Sequence, residues 1–121
     1  MKVIIAGSRD IDGQDAYLEL MRAVNQALKD WGMRSLTEIV TGGARGVDAM
    51  GKQFAREFDI AHREFPADWY TFGKSAGYKR NVQMGEYADA LILLWDGRSK
   101  GSAMMKKIAE EKGLLIVERV V

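Results

Sequence analysis

Ile39-Val40-Thr41-Gly42-Gly43-Ala44-Arg45-Gly46-Val47-Asp48 joins an apolar run to a glycine-rich turn and then to the start of an amphipathic segment. Apolar or small residues recur at Val47, Met50, Gly51, Phe54, Ala55 and Phe58, the spacing of one helix face. The glycines therefore sit on a strand-to-helix turn, where they let the backbone bend tightly and a ligand approach its N–H groups. A helix start presents unpaired donors and a partial positive charge, which suits a phosphate or carboxylate. Arg45 adds a planar, permanently charged fork. The plainer alternative is a βα turn that binds nothing. Two named motifs fit poorly. The dinucleotide fingerprint has Gly43 and Gly46 in place but Thr41 at its first glycine. A phosphate-loop reading from Gly46 to Lys52 has Gln53 where a hydroxyl would meet Mg²⁺, and its Gly51 and Lys52 fall inside the helical period.

The same alternation runs through the rest of the chain. Val3-Ile4-Ile5-Ala6 is a short apolar run closed by Gly7, as expected for a strand buried on both faces. Tyr17, Leu20, Met21, Val24, Leu28 and Trp31 mark a long helix that stops at Gly32. Ile60 to Phe65 is a weaker strand before Pro66, and Ala67 to Gly77 reads as irregular. A helix is expected from about Tyr78 to Tyr87, and the most apolar strand lies within Ala88 to Trp95. A turn from Asp96 to Ser102 opens a helix carrying Met104, Met105, Ile108 and Ala109, and Leu114 to Val117 is the last strand. This order predicts one domain over residues 1–121: a three-layer α/β sandwich of Rossmann-like type. Its five-stranded, mostly parallel sheet should run in the order 3-2-1-4-5. Such sheets bind ligands beyond the carboxyl ends of the strands, where the order reverses. The turns after strands 1, 2 and 4, which are Gly7-Ser8-Arg9, Gly42 to Gly46 and Asp96-Gly97-Arg98-Ser99, would converge there.

Composition bounds the chemistry. A chain of 121 residues, 47% hydrophobic and 29% charged, suits one globular domain with a real core. A net charge of +1 gives no whole-protein field for nucleic acid. The absence of cysteine and the single histidine, His62, leave no basis for expecting a metal site or disulfide. No apolar run approaches membrane-spanning length and the first residues do not resemble a signal peptide, so a cytoplasmic protein without a membrane partner is the expectation. No cofactor is called for, and homo-oligomerisation is left open.

Taken in order, the motifs include Gly7-Ser8-Arg9, Gly42 to Asp48, Pro66-Ala67-Asp68-Trp69, Gly73 to Gly77, Arg80-Asn81, and Trp95 to Ser102. The set resembles the SLOG superfamily of Rossmann-like proteins, which groups the DNA-processing Smf/DprA proteins with the "lonely guy" cytokinin-activating enzymes. Its small YspA/YpsA-related branch is the best match. The resemblance implies a nucleotide or nucleotide-derived ligand, such as an ADP-ribose-like compound, at the glycine loops. Fold alone does not fix the reaction. In the nucleotide-hydrolysing members the second turn reads P-G-G-x-G-T-x-x-E. Here Gly101 and Ser102 fit its G-T pair and Arg80 matches those enzymes' arginine, but Met105 stands where their glutamate would be.

Each candidate has a functional role and a plainer one. Ser8 can bond a phosphate or sugar, or cap its loop. Asp48 can bind ribose, or complement the helix dipole. Trp69 can stack on a base, or anchor a loop. Lys74 and Arg80 can neutralise phosphates, or be solvated. Asp96 can bind a ribose hydroxyl or act as a base, with Arg80 as the other catalytic candidate, or it can cap the turn before the helix. Asn81, Gly97, Ser99, Gly101 and Ser102 complete the expected ligand set. Three functions are weighed: a nucleotide-binding sensor or carrier, a hydrolase of an N-glycosidic or phosphate bond, and a DNA-associated protein. Near-neutral charge argues against the third, and the missing glutamate places the first above the second.

Overall fold

The computed structural model describes residues 1–32 and 36–121. Strands β1 (Lys2–Gly7), β2 (Glu38–Thr41), β3 (Ala61–Glu64), β4 (Ala90–Trp95) and β5 (Leu115–Val120) alternate with helices α1 (Gln14–Asp30), α2 (Val47–Glu57), α3 (Trp69–Phe72), α4 (Ala76–Tyr87) and α5 (Lys100–Glu111). The sheet has five strands in the order β3-β2-β1-β4-β5, and every pairing is parallel. The expected order is therefore found, with its reversal between β1 and β4.

Two apolar cores make the three layers. Alternate side chains of the central strands point to opposite faces. Val3, Ile5, Ile92 and Leu94 meet Leu20, Val24, Met50 and Phe54 on α1 and α2. Ile4, Ala6, Leu91 and Leu93 meet Met84, Met105, Ile108 and Ala109 on α4 and α5. Burial on both faces explains why β1 and β4 read as unbroken apolar runs rather than alternating ones. The edge strand β3, Ala-His-Arg-Glu, is mostly exposed, and its charges suit an unpaired edge. Among the described residues no helix is long and apolar enough to cross a membrane.

The segment from Ala67 to Gly77 differs from its expected irregular state. It holds α3 and a 3-10 turn, Gly73–Ser75, and α4 begins at Ala76. Asp68 caps the first of these by accepting the Thr71 N–H at 3.0 Å. No residue of α3 is buried, so it carries no apolar face that periodicity could detect. The last strand also runs to Val120, beyond the apolar stretch, because its backbone stays paired with β4 as far as Trp95 and Val120, and its charged residues find side-chain partners there. Glu118 accepts the Trp95 indole N–H at 2.7 Å and pairs with Lys106 at 2.9 Å.

Candidate functional site

Gly7 fixes where β1 ends against β4. A Cβ there would lie 1.7 Å from the Leu94 carbonyl oxygen, so only glycine allows this approach. The Ser8 N–H then donates to that carbonyl at 3.2 Å, and the buried Ser8 hydroxyl accepts the Asp96 N–H at 3.1 Å and meets the Ser99 hydroxyl at 3.1 Å. Ser8 thus clamps the β1 and β4 turns together at the point of strand reversal.

A crevice opens there in two lobes. The inner lobe, about 290 Å³, has walls from Ser8, Arg9, Asp48, Arg80, Asn81, Asp96, Ser99, Gly101 and Ser102, with Ala6, Met84 and Met105 as its apolar lining. The outer lobe, about 470 Å³, is bounded by Gly42, Gly43, Arg45, Glu64, Pro66, Ala67 and Trp69. Arg9, Ala44 and Arg80 border both. All three turns expected to converge therefore contribute to one crevice. Gly46, Lys74 and Gly97 border neither lobe. Gly46 instead packs beneath the first turn: it has φ +74°, and a Cβ would lie 2.5 Å from the Ser8 and Arg9 carbonyl oxygens. Lys74 is exposed on the 3-10 turn. Arg45 borders the outer lobe and not the inner one, and it pairs at 3.1 Å with Asp10, which borders the inner lobe.

The first glycine turn is filled from within. Asp48 Oδ2 accepts the N–H groups of Gly42 at 3.0 Å and Ala44 at 3.3 Å. These are donors that an anionic ligand would otherwise use. Burial pushes the Asp48 carboxyl up to about 6, against the opposing pull of those N–H groups and of Arg80 and Arg9. Arg80 closes the arrangement by donating to the Gly42 carbonyl at 2.6 Å and to Asn81 Oδ1 at 3.0 Å. Its guanidinium is thereby held in place before any ligand arrives.

The second turn is left open. Asp96 Oδ1 accepts the N–H groups of Arg98 and Ser99, each at 2.8 Å, and these bonds hold its carboxyl below the usual range. That is the behaviour of a turn cap, and it lowers the basicity a general base needs. Ser99 is the N-cap of α5 but makes no side-chain capping bond, its hydroxyl being directed to Ser8. The first-turn N–H groups at Lys100, Gly101 and Ser102 have no intrahelical acceptor. Gly101 has nothing within 4 Å of where a Cβ would stand. Met105, one turn on, is buried and lines the same lobe.

Sequence reasoning missed Ala6, Asp10, Met84 and Glu64 as crevice residues, and it had Pro66 and Ala67 only as part of a family motif. Glu64 to Ala67 follow the carboxyl end of β3, and the strand-end rule that selected the turns after β1, β2 and β4 extends to them. Met84 carried no such signal. Its place on the buried face of α4 reads as core.

A parallel α/β sheet with a polar crevice at its strand reversal defines a Rossmann-like domain. Residues 1–72 match the family described as "YspA, cpYpsA-related SLOG family", and the chain belongs to that family. It is also similar to the Gene 61 protein of Mycobacterium phage D29, with 32% identity over 85 residues, covering 65% of this chain and 68% of the phage protein.

Proposed function

We propose that the crevice binds a nucleotide or nucleotide-derived ligand, of which an ADP-ribose-like compound is one form, and that the protein acts as a sensor or carrier of it. The carrying observation is the uncapped first turn of α5, with Gly101 and Ser102 on the wall of a lobe shared by Arg9 and Arg80. Free N–H groups at a helix start, its dipole and two guanidinium groups together suit a phosphate. Arg80, Asn81, Ser8 and Ser99 frame that end, and Trp69 in the outer lobe offers an exposed indole for a base. Carriage rather than hydrolysis is favoured by two features. Asp96 is tied up as a turn cap, and Met105 cannot take a proton or stabilise a developing cation.

The test is Gly101→Asp. The site has room for the side chain, and a carboxylate in the first turn favours the helix dipole, so the variant should melt no lower than wild type. In calorimetric titration it should bind AMP, GMP and ADP-ribose at least about tenfold more weakly, the scale of one charge-assisted hydrogen bond. The same wild-type samples, kept with AMP and chromatographed, should release no free base. Equal affinity in the two proteins would remove phosphate from the α5 turn, and sustained base release would favour the hydrolase.

A further inference from the structure

The outer lobe contains a carboxylate without a hydrogen-bond or ion-pair partner among the described residues. It is the side chain of Glu64, the last residue of β3, and its charge acts on His62 through space. Its carboxyl group lies across the backbone of Gly43: a Cβ there would stand 2.6 Å from the Glu64 carboxyl carbon. Gly43 has φ +74°, which favours glycine there, and it leaves the exposed Glu64 side chain room to lie over the loop. On the same lobe Trp69 is 52% exposed, and the edge of its indole rests near Gly77, 3.5 Å from where a Cβ would stand. A half-exposed indole and an unpartnered acceptor on one lobe are the pair of groups that base recognition needs, one to stack and one to read the edge.

Resting on the nucleotide reading above, we infer that Glu64 makes the outer lobe selective for a base with two adjacent donors, a guanine-type base. A carboxylate only accepts hydrogen bonds. Guanine presents N1–H and the N2 amino group side by side and can satisfy both oxygens. Adenine presents a bare N1 beside its N6 amino group, so one carboxylate oxygen would face a lone pair. The arginines common to both lobes, Arg9 and Arg80, then lie between base and phosphate, where the ribose of a bound mononucleotide would pass.

Calorimetric titration of the full chain with GMP, IMP, AMP and ribose 5-phosphate tests this. Ribose 5-phosphate has no base and reports the inner lobe alone. GMP should bind about tenfold more tightly than AMP, with IMP, which keeps N1–H and lacks the amino group, between them. Glu64→Gln replaces an acceptor by a donor and should cancel or reverse the GMP preference, since an amide can pair with both positions of the adenine edge. GMP and AMP within twofold of each other in wild type would overturn the proposal, as would a preference intact in Glu64→Gln. Those outcomes leave the nucleotide reading standing. Failure of every nucleotide and of ribose 5-phosphate to bind would overturn both.

Discussion

Asp48 shows how one residue can settle a choice that its neighbours leave open. A carboxylate after a glycine turn can serve a ligand or its own loop. Here it bonds the Gly42 and Ala44 N–H groups, so it shapes the loop. The arrangement has a cost that pH reveals. An acid whose pKa is higher in the folded than in the unfolded protein favours folding most when protonated. The Asp48 contribution should be greatest below about pH 4 and should fall as pH rises through about 6. At roughly 1.4 kcal/mol per unit, the change is on the order of 2–3 kcal/mol. Other carboxyls shift the opposite way, among them Asp96 and Glu118, so the measurement is a difference. Thermal melts of wild type and Asp48→Asn from pH 4 to 8 should show wild type gaining on the variant as pH falls from 7 to 4. A constant gap would show that Asp48 does not titrate in this window.

At the scale of elements, the crevice depends on how tightly β1 and β4 approach. Gly7→Ala would drive a methyl into the Leu94 carbonyl, and the strands must part to admit it. Strain of this kind costs about 1–3 kcal/mol, and urea denaturation should show a loss of at least that lower figure. A neutral Gly7→Ala would mean that the strand ends have slack. The elements themselves were largely legible. β1 and β4 could be read because both faces are buried, and α2 because Val47, Met50, Phe54 and Ala55 keep a helical period. The segment from Ala67 to Gly77 was not legible, because α3 buries nothing and is held by a cap and by turn bonds such as Ser75 to the Phe72 carbonyl. The convergence of three turns was also legible, since right-handed crossovers with the first strand near the middle lead to the order found. Which of two glycine turns stays open was not. That depends on where Asp48, Ser8 and Ser99 direct their side chains, and sequence spacing carries no such information.

For the whole molecule, the proposed ligand would place its phosphate on the first turn of α5, at the reversal of the sheet between β1 and β4. Of the helices that start at this edge, α2 and α5 follow the small-residue turns beside the crevice, and the chain itself covers the start of α2. The α2 start is covered by the Ser8–Arg9 backbone, with the Val47 N–H donating to the Ser8 carbonyl at 3.4 Å. The α5 start is bordered by open space at Gly101. Family membership agrees with a nucleotide-related ligand and leaves the position of its phosphate to the geometry. The most direct measurement is an amide-resolved NMR titration of the ¹⁵N-labelled protein with AMP and with GMP. The Gly101 and Ser102 amides should move most, together with Arg9, while the Gly42 and Ala44 amides, already bonded to Asp48, should move less. Saturable shifts centred on the Gly42–Gly46 turn with Gly101 and Ser102 unmoved, or shifts at the opposite edge of the sheet, would contradict that placement of the phosphate.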